Sequence, residues 1–118
     1  MPKAILLVDD DPNILDTARD ILEDAGYAVY AEGTGAAALM KLKSTPAHLA
    51  LFDFNLPDTR GVDLAVEAKK ICPKMTIFLM TGEASVDLGA AKGSIDGILT
   101  KPVDPTQLLQ VIRAKVDS

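Results

Sequence analysis

The chain is 118 residues long, carries a net charge of −5 and contains 48% hydrophobic and 25% charged residues. This balance is typical of one folded domain, covering residues 1–118, and its acidity excludes general binding to nucleic acid or anionic lipid. A single cysteine, Cys72, and a single histidine, His48, exclude an internal disulfide, a cysteine-based zinc site and a paired-histidine metal site.

Five short apolar runs recur along the chain. Each run is continuous rather than alternating, which is typical of strands buried on both faces of a parallel sheet. The predicted strands cover residues 4–8, 28–31, 49–52, 77–80 and 98–99.

Amphipathic helical patterns follow these runs. The first begins at the Asp11 cap and Pro12, and it ends at Gly26. Four further helices are predicted at 35–43 behind the Thr34 cap, at 62–71, at 85–92, and at 105–116 behind the Asp104 cap. The alternation of strands and helices predicts a doubly wound α/β domain.

No apolar run approaches the length of a membrane span. The apolar stretch near the N-terminus is too short for a secretory signal. We therefore expect a cytoplasmic protein.

Polar side chains stand where four of the predicted strands end. Asp9, Asp10 and Asp11 follow the first strand and Asp53 follows the third, while Thr81 and Lys101 follow the fourth and fifth. Because ligands of open parallel sheets bind beyond the carboxyl ends of the strands, these groups are expected to converge at one edge.

Close packing of Asp9, Asp10 and Asp53 requires a compensating charge. Two unit charges 4 Å apart repel by roughly 4 kcal/mol at an effective dielectric near 20. Oxygen ligands without histidine or thiolate favour Mg²⁺. A carboxylate beside Mg²⁺, an ammonium and a hydroxyl also forms a site for phosphoryl transfer, in which the aspartate can be the nucleophile.

Four segments together resemble the response-regulator receiver domain of two-component signalling. They are residues 5–11, residues 51–61, the pair Thr81-Gly82 and the pair Lys101-Pro102. The resemblance covers essentially the whole chain. It implies a flavodoxin-like (βα)5 fold with strand order 2-1-3-4-5, and a cis peptide bond between Lys101 and Pro102.

The resemblance also implies how the metal is held. Asp10 and Asp53 would bind Mg²⁺ through their carboxylates, Asn55 through its backbone carbonyl, and Asp9 mainly through water.

In the same family pattern, Asp53 accepts a phosphoryl group from a phosphohistidine on a sensor kinase or phosphotransfer protein. Lys101 pairs with that group, and Thr81 moves inward to donate a hydrogen bond to it. The movement would change the face formed by helix four, strand five and helix five, where a partner or an output domain would bind. The implied catalysis is limited to the domain's own phosphorylation and dephosphorylation, so we do not expect a separate enzyme.

Three features of the sequence bear on this family pattern: one predicts the lifetime of the phosphorylated state, and two depart from the pattern. Asn55 and Glu83 form a polar and acidic pair like that of chemotaxis-type regulators, and it predicts fast self-dephosphorylation. The family's usual aromatic residue three positions before the lysine is replaced by Ile98, which has no polar tip to leave in water. The segment between Thr81 and Lys101 is also short and contains two glycines, so we expect helix four to be short or irregular.

Two other functions stay open at this point. One is a Mg²⁺-dependent phosphatase or phosphotransferase that forms an aspartyl phosphate, although Asn55 stands where such enzymes need a second acid. The other is an interaction module that works without phosphorylation. The cognate kinase, the oligomeric state and the presence of an output domain in a longer chain do not follow from the sequence.

Overall fold

A computed structural model describes residues 2–83 and 86–116 of the chain. Strands and helices alternate along it, as the apolar runs predict. The elements are β1 (Ala4–Val8), α1 (Pro12–Asp24), β2 (Ala28–Glu32), α2 (Gly35–Ser44), β3 (Leu49–Asp53), α3 (Gly61–Ile71), β4 (Thr76–Thr81), a 3₁₀ helix (Gly89–Ser94), β5 (Gly97–Thr100) and α4 (Pro105–Val116).

The five strands form one parallel sheet in the order β2-β1-β3-β4-β5. This is the predicted flavodoxin-like topology. The strands β1 and β3 lie inside the sheet and are buried throughout, which explains their continuous apolar sequences. The carboxyl ends of β1, β3, β4 and β5 meet at one edge, and this edge carries the predicted site.

Helices cover both faces of the sheet, and two hydrophobic clusters fill the space beneath them. Successive residues of a strand point to opposite faces, so Leu6 and Val8 enter one cluster while Ile5 and Leu7 enter the other. The first cluster is covered by α2, α3 and the 3₁₀ helix, and the second by α1 and α4. Aliphatic side chains dominate both clusters.

The helix ends follow the predicted capping residues. The Asp11 carboxylate accepts a hydrogen bond from the Asn13 N–H at 2.9 Å, and Pro12 opens α1. Gly26, with φ of 99°, adopts the left-handed conformation just beyond α1. The caps predicted at Thr34 and Asp104 also form, since each side chain accepts a hydrogen bond from a first-turn amide.

The fourth predicted helix is the element that differs most from expectation. The pattern predicts an α-helix over 85–92, but the structure has a 3₁₀ helix at Gly89–Ser94 and no helix at 86–88. Ser85, where the prediction starts, lies outside the described residues. Gly89 has φ of 56°, a left-handed conformation that an α-helix does not contain. The expectation of a short or irregular element is confirmed.

Within residues 2–83 and 86–116, no helix combines the length and the hydropathy that crossing a bilayer demands.

Candidate functional site

Three carboxylates meet at the carboxyl edge of the sheet. Asp9 and Asp10 follow β1, and Asp53 is the last residue of β3, the neighbouring strand. One oxygen from each of the three carboxylates lies within 4.8 Å of the others. Asp9 and Asp53 are buried, whereas Asp10 is exposed at the rim. The sheet topology therefore assembles the predicted acidic cluster.

Lys101 closes this cluster from the end of β5. Its Nζ lies 2.8 Å from Oδ1 of Asp53 and 2.9 Å from Oδ2 of Asp9. The other oxygen of Asp9 accepts the backbone N–H of Asp11 at 3.0 Å. One ammonium thus bridges two buried carboxylates, and the three aspartates still carry an excess of negative charge.

Burial and repulsion decide the electrostatics of this group. Burial raises the pKa of Asp53, and the neighbouring carboxylates Asp9 and Asp10 add to the rise, while the hydrogen bond from Lys101 opposes it. Burial by itself lowers the pKa of Lys101, but its bonds to Asp53 and Asp9 outweigh that effect and raise it. The Lys101 side chain is therefore charged, and any further positive charge beside Asp53 would stabilise the ionised form of its carboxyl group.

The donor set fits a hard divalent cation. All three side chains are carboxylates, and one bound cation would offset the charge that Lys101 leaves uncompensated. Asp10 is exposed and Asp53 is at the floor of the hollow, whereas both oxygens of Asp9 already accept hydrogen bonds. Asp9 is thus the member of the cluster whose carboxylate is most fully used in bonds within the protein.

Thr81 lies at the end of β4, one strand from Asp53, and is only 5% exposed. Its hydroxyl oxygen accepts the backbone N–H of Glu83 at 3.2 Å, and its carbonyl accepts the N–H of Lys101 at 2.7 Å. A hydroxyl that accepts one hydrogen bond still has its own proton to donate. The Thr81 hydroxyl can therefore serve as a donor at the edge of the hollow. The side chain of Glu83 is exposed nearby.

The residues after Asp53 form a tight turn that we call the acceptor hairpin, residues 54–60. Asn55 pairs with Arg60 in an isolated antiparallel bridge. At the base of the hairpin, the Phe54 N–H donates to the Met80 carbonyl at 2.9 Å and the Gly61 N–H donates to the Phe54 carbonyl at 2.8 Å. Asn55, the predicted carbonyl ligand, is thus held in a hydrogen-bonded turn directly beyond Asp53.

Gly61 joins this hairpin to α3. A Cβ on Gly61 would come well within 3.0 Å of the Asp53 carbonyl oxygen and would also press on Leu79. The glycine is needed for this close approach and not for a left-handed backbone, since Gly61 does not have a positive φ.

The structure gives Asp58 a contact that the sequence did not indicate. Its two carboxylate oxygens accept the backbone N–H groups of Gly35 and Ala36, each at 2.9 Å. These residues are 23 and 22 positions away in sequence, so local patterns carried no signal for the contact.

The single histidine and the single cysteine lie away from the carboxylate cluster. His48 is exposed before β3, at the opposite edge from the carboxylates, where its Nδ1 accepts the Ala4 N–H at 3.0 Å. Cys72 is half-buried just after α3, and Ile98 packs partly into the core beside β4. The peptide bond between Lys101 and Pro102 is cis, as predicted.

A cavity of about 510 Å³ lies between α1 and α4, next to this site. Its lining is almost entirely apolar, and it reaches the hollow only at Asp9 and Lys101. Asp53 does not line it, so the cavity is distinct from the place where a phosphoryl group would bind.

Comparison with known proteins gives the family. The model of the response regulator receiver domain matches residues 5–113. The chain is 33% identical over 113 residues to the transcriptional regulatory protein GlrR of Escherichia coli, which covers 94% of this chain and 26% of that protein. It is 29% identical over 115 residues to the chemotaxis protein CheY of Thermotoga maritima, which covers 95% of this chain and 96% of that one.

A solved structure of a CheY-like response regulator receiver domain protein from Methanospirillum hungatei agrees closely. Its TM-score is 0.93 at 39% identity, with 99% of this chain and 95% of that chain covered. The chain therefore belongs to the receiver domains of two-component response regulators. It spans about a quarter of the length of the transcriptional regulators GlrR, QseF and AlgB that it matches.

Proposed function

We propose that this receiver domain accepts a phosphoryl group on Asp53 from a phosphohistidine of a sensor kinase or phosphotransfer protein in the cytoplasm. The observation that carries the proposal is the bridge from Lys101 to Asp53 and Asp9 inside an acidic hollow. An acidic cluster that served only solubility would have no reason to bury two carboxylates around one ammonium, because burial of charge costs free energy.

The transfer needs little from the protein beyond position and charge. A carboxylate oxygen of Asp53 attacks phosphorus, the phosphorus–nitrogen bond of the phosphohistidine breaks, and its electron pair stays on the imidazole, which takes up a proton. Lys101 offsets the charge of the phosphoryl oxygens, and the Thr81 hydroxyl donates a hydrogen bond to one of them. Asp53 is the nucleophile and forms an acyl phosphate.

Mg²⁺ would be held by the carboxylates of Asp10 and Asp53 and the backbone carbonyl of Asn55, with Asp9 acting mainly through water. When bound, Mg²⁺ neutralises carboxylate and phosphoryl charge during the transfer. The three acidic side chains and their excess negative charge support this assignment.

The output would follow from Thr81 and the strand beside it. If the Thr81 side chain moves inward to donate its hydroxyl proton to a phosphoryl oxygen, its oxygen leaves the Glu83 N–H, and the chain after β4 would shift. That change would alter the face formed by the 3₁₀ helix, β5 and α4, where a partner or an output domain binds. Ile98 replaces the usual aromatic switch on this face, so the shift would be carried by the backbone after β4. Apart from its own phosphorylation and dephosphorylation, the domain acts by binding and not as an enzyme.

Incubation with Mg²⁺ and acetyl phosphate, followed by intact mass measurement, tests the proposal. We expect a gain of one phosphoryl group that depends on Mg²⁺ and is lost in Asp53→Asn. Glu67→Gln, which removes an exposed carboxylate on α3 outside the hollow, should leave the gain unchanged. Multiple turnover of phosphoesters would instead indicate a phosphatase. No mass change would indicate an interaction module that works without phosphorylation.

A further inference from the structure

The acceptor hairpin is held both at its base and at its tip. At its base it is tied to β4 and α3 through the backbone bonds of Phe54 described above. Across its turn, the Leu56 N–H donates to the Thr59 carbonyl at 3.0 Å. The second attachment is at the tip, and it is made by a side chain.

The tip attachment is the carboxylate of Asp58 on the first turn of α2. Each of its oxygens accepts one backbone N–H, from Gly35 and from Ala36, and the third amide of this turn, that of Ala37, donates to the Thr34 hydroxyl at 3.1 Å. The first amides of a helix have no partner within the helix. Two of the three are here satisfied by a residue of the hairpin, so the N-terminus of α2 and the acceptor hairpin hold each other.

The close packing of the hairpin tip against Gly35 supports the same attachment. A Cβ on Gly35 would lie 2.5 Å from Cγ2 of Thr59 and 3.5 Å from Oδ1 of Asp58. The Thr59 methyl group thus occupies the space that a Cβ on residue 35 would need, and the tip packs closely against α2. The hydrogen bonds from Gly35 and Ala36 also lower the pKa of Asp58, so the carboxylate is ionised and accepting at neutral pH.

We infer that Asp58 is a positioning residue for the metal and phosphoryl site. It fixes the tip of the acceptor hairpin against α2, and the base of the hairpin is fixed against β4, so Asn55 is held between two anchors. The inference rests on the proposed function, because it assigns Asp58 a role in placing the Asn55 carbonyl that would bind Mg²⁺. Residues that orient metal ligands in this way affect metal affinity without touching the metal.

The test compares Asp58→Ala with two matched controls. Thr34→Ala removes a cap bond from the same helix turn but leaves the hairpin attached. Glu67→Ala removes an exposed carboxylate on α3 whose ion pair is with Lys70, outside the hairpin and outside α2. Mg²⁺ affinity is measured by calorimetry well below every melting temperature, and the Mg²⁺ dependence of phosphorylation by acetyl phosphate is measured in parallel.

We expect Asp58→Ala to weaken Mg²⁺ binding about tenfold and to raise the half-saturating Mg²⁺ concentration for phosphorylation equally. Asp58→Asn keeps one acceptor oxygen, so its Mg²⁺ affinity should lie between those of Asp58→Ala and wild type. It replaces Asp58→Ala in the test if that variant does not fold. Both controls should bind Mg²⁺ as wild type does, even though Thr34→Ala loses stability.

Three results would overturn the inference. An equal loss in Thr34→Ala would mean that only the stability of α2 matters, and an equal loss in Glu67→Ala would mean a general effect of charge. Unchanged Mg²⁺ affinity in Asp58→Ala and Asp58→Asn, with wild type phosphorylated normally, would end the inference and leave the proposed function intact. If wild type binds no Mg²⁺ and takes up no phosphoryl group, both are wrong together.

Discussion

Gly61 offers a direct way to disturb the acceptor without changing any acidic or basic residue. In Gly61→Ala the new methyl group would collide with the main-chain carbonyl of Asp53, which cannot rotate away as a flexible side chain could. Inserting a methyl group into a filled space costs about 1–3 kcal/mol, and alanine recovers about 0.4–1 kcal/mol by restricting the unfolded chain. The middle of these two ranges gives a net loss of about 1.3 kcal/mol in the free energy of unfolding.

Thermal unfolding measures this loss, because about 1.3 kcal/mol lowers the melting temperature of a domain of this size by about 5 °C. The displaced Asp53 should also be phosphorylated more slowly by acetyl phosphate at saturating Mg²⁺. Gly93→Ala is the matched control: a Cβ there meets no atom within 4 Å, so stability should be unchanged or slightly higher. If Gly61→Ala were as stable and as reactive as Gly93→Ala, the close approach would have no consequence and our reasoning would be wrong.

Three further predictions concern the charges and the lifetime of the site. Lys101→Met leaves Asp53 and Asp9 facing each other without a cation, so the metal-free protein should lose about 1–3 kcal/mol of stability by denaturant titration and bind Mg²⁺ more tightly by calorimetry. Weaker Mg²⁺ binding in this variant would contradict the electrostatic account. Asp53→Asn should be more stable than wild type at pH 7 in chelator, since the raised pKa of Asp53 means that its ionised form costs stability above that pKa. The advantage should disappear as the pH falls through that pKa and wild-type Asp53 becomes neutral, and a pH-independent difference would exclude this cause. The phosphorylated wild-type domain should lose its phosphoryl group quickly, and Glu83→Ala should lose it more slowly, because the exposed Glu83 side chain is expected to orient the attacking water. A half-life of many hours in wild type would refute this.

The sequence predicted the sheet well because its inner strands are buried on both faces. Continuous apolar runs such as 4–8 and 49–52 are informative for that reason, and the capping residues Asp11 and Thr34 mark helix starts through purely local bonds. The segment 85–92 was predicted less well, because Gly89 adopts a left-handed conformation that the residue pattern did not reveal.

The candidate site was predictable because parallel topology brings strand ends together. Once the order of strands was assumed, Asp9, Asp53 and Lys101 had to lie at one edge, and the structure places the lysine between the two carboxylates. The hydrogen bonds between Asp58 and the first turn of α2 could not be predicted in this way. It depends on how closely a loop approaches the first turn of another helix, which is a matter of tertiary packing and leaves no periodic or local signal.

Chemical trapping of the phosphorylated residue tests the central claim most directly. After incubation with Mg²⁺ and acetyl phosphate, borohydride reduces an acyl phosphate of aspartate to homoserine, and peptide mapping then locates the reduced position. Reduction at Asp53 alone, lost when Mg²⁺ is chelated, is the predicted result. Reduction at Asp9 or Asp10, or no reduction in a protein that has gained a phosphoryl group, would contradict Asp53 as the acceptor beside Lys101.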